Sequence, residues 1–457
     1  MIRRLRPVLA AILLVAAAGA AVAEAPAAAA AEQPLFVGWA AADITPPKPV
    51  ALIGQLYKRI STGVRDPLTA TVLALETRGD GGDGKEQAVM VSCDLLCITH
   101  DIQRRLQEKV AALLPDFDAR KLFLNATHTH TAPGISDAMF KDRYDVSNDA
   151  GVMKASEYAD VFLDRVSRAV AEAWQGRKPG GMSWGLGYAA VGFNRRAQFA
   201  SGRTVMYGKT NAADFLGIEG CQDPAVDLLF LWGPEAKISG IVINLACTSQ
   251  ETENLKEVSA DFWHDVREEI HRRHGQDLFI FPQASVAGDQ SPHLLYRKQA
   301  EQPMDSRRGL SRRQEIARRI ANAVDDVLPV AGADVKRRIV FRHTVAAVDL
   351  PEHEPRAEPF YVTDPVRPIE VHVLRLGDVA IATSPFELYL DYGIRIEARS
   401  RAVLTMLVQL SCGTCGYLPT ERGVKGGGYS ADKFVVGPAG GQVLVDETVK
   451  RINELWP

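Results

Sequence analysis

Two histidines one residue apart, His128 and His130, stand in the run Asn125-Ala-Thr-His-Thr-His-Thr-Ala-Pro-Gly134. The run follows Lys121-Leu-Phe-Leu124, which has the composition of a buried strand, and ends in the turn pair Pro133-Gly134. On an extended backbone residues two apart leave the same face. Both imidazoles then point one way and Thr127, Thr129 and Thr131 the other. Paired imidazoles at a strand end suit a metal site or an acid–base pair, and they equally suit a polar strand end with two satisfied histidines.

Other reactive groups fall at strand ends or in Gly-rich loops, where a rigid sheet can present them: Arg195, the turn at Cys247, Ser291, Glu387 and Tyr417. Each has a plainer role open to it. Gly288-Asp-Gln-Ser-Pro292 reads also as a capped turn, and it lacks the Gly-x-Ser-x-Gly spacing of a nucleophile elbow. Glu387 could complement a helix dipole, and Tyr417 could be a packed aromatic.

The elements that must position these groups follow from periodicity. Strands are expected at 35–39, 69–76, 87–93, 121–124, 182–193, 226–232, 241–246, 278–281, 338–350, 369–375, 379–383 and 403–410. Helical spacing covers 94–113, 155–174, 311–327 and 443–455. Ser259-Ala-Asp261 caps a helix to His274, and Glu387 opens one ending near Arg399. The order strand, helix, strand over 87–124 reads as a parallel crossover. A hairpin-like loop is expected at 79–84, and a loop over the 25 or so residues after Arg196. The fold class is mixed α/β, with central mixed sheets flanked by helices in a single large domain over 35–457.

Arg3, Arg4 and Arg6, an apolar run from Val8 to Val22 and the small residues Ala21-Val-Ala23 make residues 1–23 a signal peptide. Residues 24–34 read as a disordered Ala/Pro tether. The mature chain is expected to be exported, periplasmic or secreted, with no transmembrane segment. A net charge of -3 without a basic arm excludes a nucleic-acid partner, and 46% hydrophobic residues suffice for a sizeable core. Six cysteines are too few for a disulfide-stapled scaffold. Cys412-Gly-Thr-Cys415 has redox spacing without a thioredoxin pattern, which leaves a local disulfide or two free thiols.

Val37-Gly-Trp-Ala-Ala-Ala-Asp-Ile-Thr-Pro46, Ala126-Thr-His-Thr-His-Thr-Ala-Pro-Gly134, Asn194-Arg195, Ser259-Ala-Asp261, Gly288-Asp-Gln-Ser-Pro292 and Gly416-Tyr-Leu-Pro-Thr420 occur here in the order seen in neutral/alkaline non-lysosomal ceramidases. The chain resembles that family from about Val37 to Tyr429. The resemblance implies a zinc amidase acting on a small-molecule or lipid amide, ceramide or another acyl-amide, in sphingolipid metabolism. It implies zinc ligands at His128, Glu387 (after Pro385) and Tyr417, with His130, Arg195 and Ser291 as catalytic groups. The family's second zinc histidine ends a core strand. The matching stretch Asn244-Leu-Ala-Cys-Thr248 puts Cys247 there, or Thr248 after a one-residue slip, and thiolate is itself a good zinc ligand. Family members carry a further sandwich domain, whereas this sequence stops at Pro457. Ser291 stands as nucleophile or as a group that holds the substrate. Two other readings remain: a metal-free serine hydrolase using Ser291 and His130, and a catalytically silent binding protein on the same fold.

Overall fold

The computed structural model describes residues 31–79, 85–235, 237–353 and 363–456. The signal peptide, most of the tether and nearly all of the 79–84 loop lie outside the described residues. Strand begins at Gln33, two residues inside the stretch expected to be tether.

Three larger sheets carry the fold. The first runs Arg338–Ile339, Gln33–Asp43, Thr69–Thr77, Glu86–Cys93, Leu122–Ala126, with Lys178–Pro179 also pairing on Gln33–Asp43. The second runs Phe279–Ala284, Ile238–Leu245, Ala225–Trp232, Gly181–Tyr188. The third runs Phe341–Val348, Ile369–Leu376, Val379–Thr383, Leu404–Val408. Each mixes antiparallel with parallel pairing.

Side chains alternate between two apolar environments, so these strands read as nearly continuous hydrophobic runs. Leu73, Met90, Phe123, Leu229, Val242, Phe281, Leu374 and Ile381 from all three sheets share one central core. Their chain neighbours face outward under helices. Val72, Val89 and Leu124 pack beneath His100–Leu113 and Ala155–Gln175; Ile241 and Ile243 beneath Phe262–His274 and Arg312–Gly332; Ala380 and Ala382 beneath Leu390–Arg399 and Pro438–Glu454. This is the mixed α/β class expected, with helices flanking the sheets.

Three local expectations change, and one open alternative is decided. The crossover helix starts at His100, where the Thr99 hydroxyl accepts the Ile102 amide, so 94–99 is loop. The stretch after Asn194 forms a small sheet of Arg196–Phe199, Thr204–Met206 and Phe215–Ile218 rather than a loop. Glu387 opens no helix; Glu387–Leu388 is a short strand and the helix begins at Leu390. All six cysteines are free, so Cys412 and Cys415 are two thiols.

The three sheets are tied together at one rim by backbone bonds: Ala126 to Leu410 O, Ser249 to Thr127 O and Gln409 to Ala284 O, at 3.0–3.2 Å. Beneath the rim, buried amides close the central core. Asn125 donates to Pro282 O, and Asn244 donates to Leu407 O and Gln283. The carboxyl ends of strands from three sheets therefore share one edge, the place where open α/β sheets bind ligands.

Candidate active site

The strand Leu122–Ala126 ends before the histidines, and His128 adopts φ +67. The extended backbone expected over His128–His130 is thus absent. A left-handed non-glycine residue is held there by its surroundings: the His128 amide donates to Leu95 O at 2.9 Å, and the Thr129 and Thr131 hydroxyls donate to Ser259 O. The twist brings the rings together by another route, with the two Nε2 atoms 3.3 Å apart. His128 Nδ1 lies 2.8 Å from Leu96 O, a pure acceptor, so Nδ1 carries the hydrogen and Nε2 of the neutral ring presents a lone pair. Gly54, at φ +103, covers the His130 ring; a Cβ there would sit 2.5 Å from His130 Cγ.

Glu387 and Tyr417 are direct partners in a two-stranded parallel ladder, which explains how residues distant in sequence share a site. Glu387 Oε2 lies 3.6 Å from His128 Nε2 and is buried without a hydrogen-bond partner. Arg195 donates to Tyr417 Oη at 3.3 Å, Tyr207 Oη at 3.3 Å, Gln250 Oε1 at 3.4 Å and Gly288 O at 2.9 Å. His128, His130, Glu387 and Tyr417 line one small cavity of about 50 Å³, together with Cys97, Phe140 and Tyr429.

The Gly288-Asp289 pair braces this set. Asp289 accepts from Asn194 Nδ2 at 2.8 Å and from the Leu390 amide at 3.0 Å, and its carbonyl takes the Arg195 amide. Gly288 donates to Leu388 O at 2.8 Å, so close to the Glu387 strand that a Cβ would meet Glu387 O at 2.3 Å.

Three expected residues do not line the cavity: Arg195 reaches it through Tyr417, whereas Ser291 and Cys247 stand apart. Ser291 is fully buried, and its hydroxyl accepts from the His293 amide at 3.3 Å; it does not line the cavity. The motif that carries it serves through its glycine and aspartate. Cys247 packs in the apolar cluster with Val191, Phe262 and Trp263, its sulfur 3.6 Å from Val191 O. It behaves as a small buried hydrophobe rather than as a ligand. The reason is a tight turn, Cys247 N to Leu245 O at 2.8 Å, which rotates the thiol away from the rim. A second turn, Gln250 N to Thr248 O, delivers Gln250 instead, with Nε2 2.7 Å from His130 Nε2. Thr248 spends its hydroxyl on Gln250 Oε1.

Sequence reasoning missed Gln250, Glu253, His293 and Tyr207. Glu253 lies 3.4 Å from His130 Nδ1 and 3.3 Å from His293 Nε2, off the donor direction of both. The signal was present in the acidic pair Glu251-Thr-Glu253 just past the core strand, and in a histidine two residues past Ser291. Asp261, from Ser259-Ala-Asp261, caps its helix and also accepts the Glu251 and Thr252 amides, anchoring the Glu253 loop.

Burial lowers the His128 pKa against the pull of Glu387. Burial, then His128 and Arg195, lower that of His130 much further. Both rings are therefore neutral near pH 7 and can act as ligands or bases. Burial opposes the charge of Arg195, but Tyr417, Tyr207 and Glu387 outweigh it and hold the guanidinium charged. The donors fit a zinc-like ion on two observations: the orphaned Glu387 oxygen, and the His128 Nε2 lone pair aimed at it. Tyr417 and His130 stand beside them; Cys247 does not.

Two solved structures share this architecture. Neutral ceramidase from Pseudomonas aeruginosa matches with a TM-score of 0.71 at 17% identity, over 93% of this chain and 75% of that one. A ceramidase complexed with C2 matches with a TM-score of 0.71 at 16% identity, over 92% and 76%. No family model and no curated protein matches the sequence. The chain has the neutral ceramidase fold.

Proposed function

We propose that this chain, built on the neutral ceramidase fold, is a zinc-dependent amidase that hydrolyses an N-acyl bond of ceramide or a related acyl-amide. The observation that carries the reading is the buried Glu387 oxygen without a partner, 3.6 Å from an imidazole nitrogen whose other nitrogen is committed to Leu96. Leaving a carboxylate oxygen so placed is costly unless a cation completes the set. His128, Glu387 and Tyr417 would hold the ion, which when bound supplies a water of lowered pKa and polarises the amide carbonyl.

The remaining groups supply the polar wall and the charge. His130, neutral and with its Nε2 accepting from Gln250, lines the cavity beside Glu253 and forms the polar wall that the amide meets. Arg195 keeps its charge beside Tyr417 and stabilises negative charge developing on the carbonyl oxygen. The cavity beside the histidines measures about 50 Å³, small beside an acyl chain. The seclusion of Ser291 argues against a serine nucleophile.

The test is metal analysis and acyl-amide turnover on the purified protein and on Glu387→Gln. The wild type is expected to hold zinc and turn over the amide, and the variant to lose both. Zinc retained without turnover of any acyl-amide would favour the silent binding protein. Turnover by metal-free enzyme would overturn the zinc reading. Export rests on the Arg-rich start, apolar run and small-residue site of 1–23, and the mature protein should begin at Glu24 on N-terminal sequencing.

A further inference from the structure

A second set of metal-ligating side chains lies outside the cavity described above. Glu370 and His372 are two apart on the strand Ile369–Leu376, so they leave the same face. Cys412 meets them from the loop after Leu404–Val408. One ligand atom from each lies within 4.8 Å of the others.

The hydrogens in this cluster can be counted. A chain of contacts runs from Gln87 O to His343 Nδ1 at 3.0 Å, from His343 Nε2 to His372 Nδ1 at 2.9 Å, and from His372 Nε2 to Glu370 Oε1 at 3.0 Å. Both ends are acceptors, a carbonyl and a carboxylate. Two neutral imidazoles carry one hydrogen each, yet three contacts need filling. One positive charge, a proton or a metal ion, completes the set. The carbonyl fixes His343 as its donor; when His372 then donates from Nδ1 to His343, its Nε2 is left with a lone pair against the Glu370 carboxylate.

A proton on His372 would fill that gap as well, with Cys412 Sγ keeping Ser411 Oγ at 3.5 Å and Thr383 Oγ1 at 3.9 Å as its partners. Cys412 is buried at φ +63, a conformation a non-glycine residue keeps only under constraint, and its amide is pinned to Leu124 O at 3.2 Å. The result places its sulfur with the carboxylate and the imidazole. Gln103 Nε2 orients Glu370 at 3.1 Å, as outer partners orient metal ligands.

The geometry points to a second, zinc-class divalent cation site formed by Glu370, His372 Nε2 and Cys412 Sγ. A mixed O, N and S set of three suits zinc or cobalt with a position left over. Glu370 and Cys412 border a cavity of about 450 Å³ that shares no lining residue with the histidine cavity, and it supplies both an entry route and room for a fourth ligand. His343 fixes the His372 tautomer from behind.

The test uses the full-length chain stripped with a chelator and titrated with Co2+. The ligands expected at the first cavity include no sulfur, so a near-ultraviolet thiolate-to-cobalt charge-transfer band reports this site alone. Cys97 lines the first cavity, and Cys97→Ser serves as the control. The band is expected in the wild type and in Cys97→Ser, and it should vanish in Cys412→Ser. Should Cys412→Ser misfold, Glu370→Gln keeps the sulfur and is expected to weaken cobalt binding roughly tenfold or more. Bound metal should also shield Cys412, and not Cys415, from alkylation in the unmutated protein. No band in the wild type, a band surviving in Cys412→Ser, a band lost with Cys97, or unchanged affinity in Glu370→Gln would each overturn the site. Loss of amidase activity plays no part in the readout, so this site stands or falls apart from the proposed function.

Discussion

Arg195 joins more of the site than any other side chain described above, reaching two phenols, an amide and the Gly288 carbonyl. Arg195→Lys keeps the charge and loses the fork, so kcat should fall roughly 10²- to 10³-fold while the melting temperature moves little. Steady-state kinetics beside thermal denaturation would check both halves. Ser291→Ala should keep most activity, because its hydroxyl reaches only the His293 amide. A large loss of kcat in that variant would restore the serine as a participant. Cys247→Ala should leave zinc content unchanged and cost about 1 kcal/mol of stability, as expected of a small buried apolar group. His128, His130, Arg195, Glu387 and Tyr417 were legible in the sequence because each sits in a short motif that travels with its neighbours. Cys247 was placed at the rim by matching the strand end to the family, and this strand ends in two successive tight turns that seat the thiol in the apolar cluster instead. Those turns leave no compositional mark.

Among the elements, the two-residue pair Glu387–Leu388 and Tyr417–Leu418 is the most consequential for the candidate site. Two residues of strand carry little signal, and Glu387 followed by helical spacing looks like a helix start. The helix does follow, three residues later, at Leu390. The larger strands were readable because both faces are apolar, and the boundaries found differ from expectation by a few residues. Gly288 presses on the Glu387 ladder, so Gly288→Ala should shift the carboxylate and destabilise the protein by roughly 1–3 kcal/mol, the usual cost of overpacking. Zinc affinity and urea denaturation measured together would show whether ligand position and stability fall in step. The left-handed His128 is the companion case: its spacing announced paired imidazoles correctly but for the wrong backbone reason.

At the scale of the molecule, acid should loosen the fold before it strips surface charges. His128, His130 and His343 all titrate below the ordinary value of 6.5, mainly because burial disfavours their charged form. As pH falls through that value the unfolded chain takes up protons first, so the stability held above it is lost on the way down to the folded-state values. Melting of the metal-free protein from about pH 8 to about pH 5 should show this decline; a flat profile below the ordinary histidine value would refute it. The three-sheet plan was legible only in part, since alternating strands announce sheets but not which sheets share a core. That plan also sets a timetable. The rim draws on residues from His128 to Tyr417, and the first two residues of the opening strand, Gln33 and Pro34, wait for Ile339 and Arg338. Chains leave the ribosome at about 5–20 residues per second, from the amino end. Between the synthesis of Arg195 and that of Tyr417, then, the nascent polypeptide owns both imidazoles and Arg195 yet lacks the Glu387–Tyr417 ladder. The candidate site stays incomplete until Tyr417 pairs with Glu387.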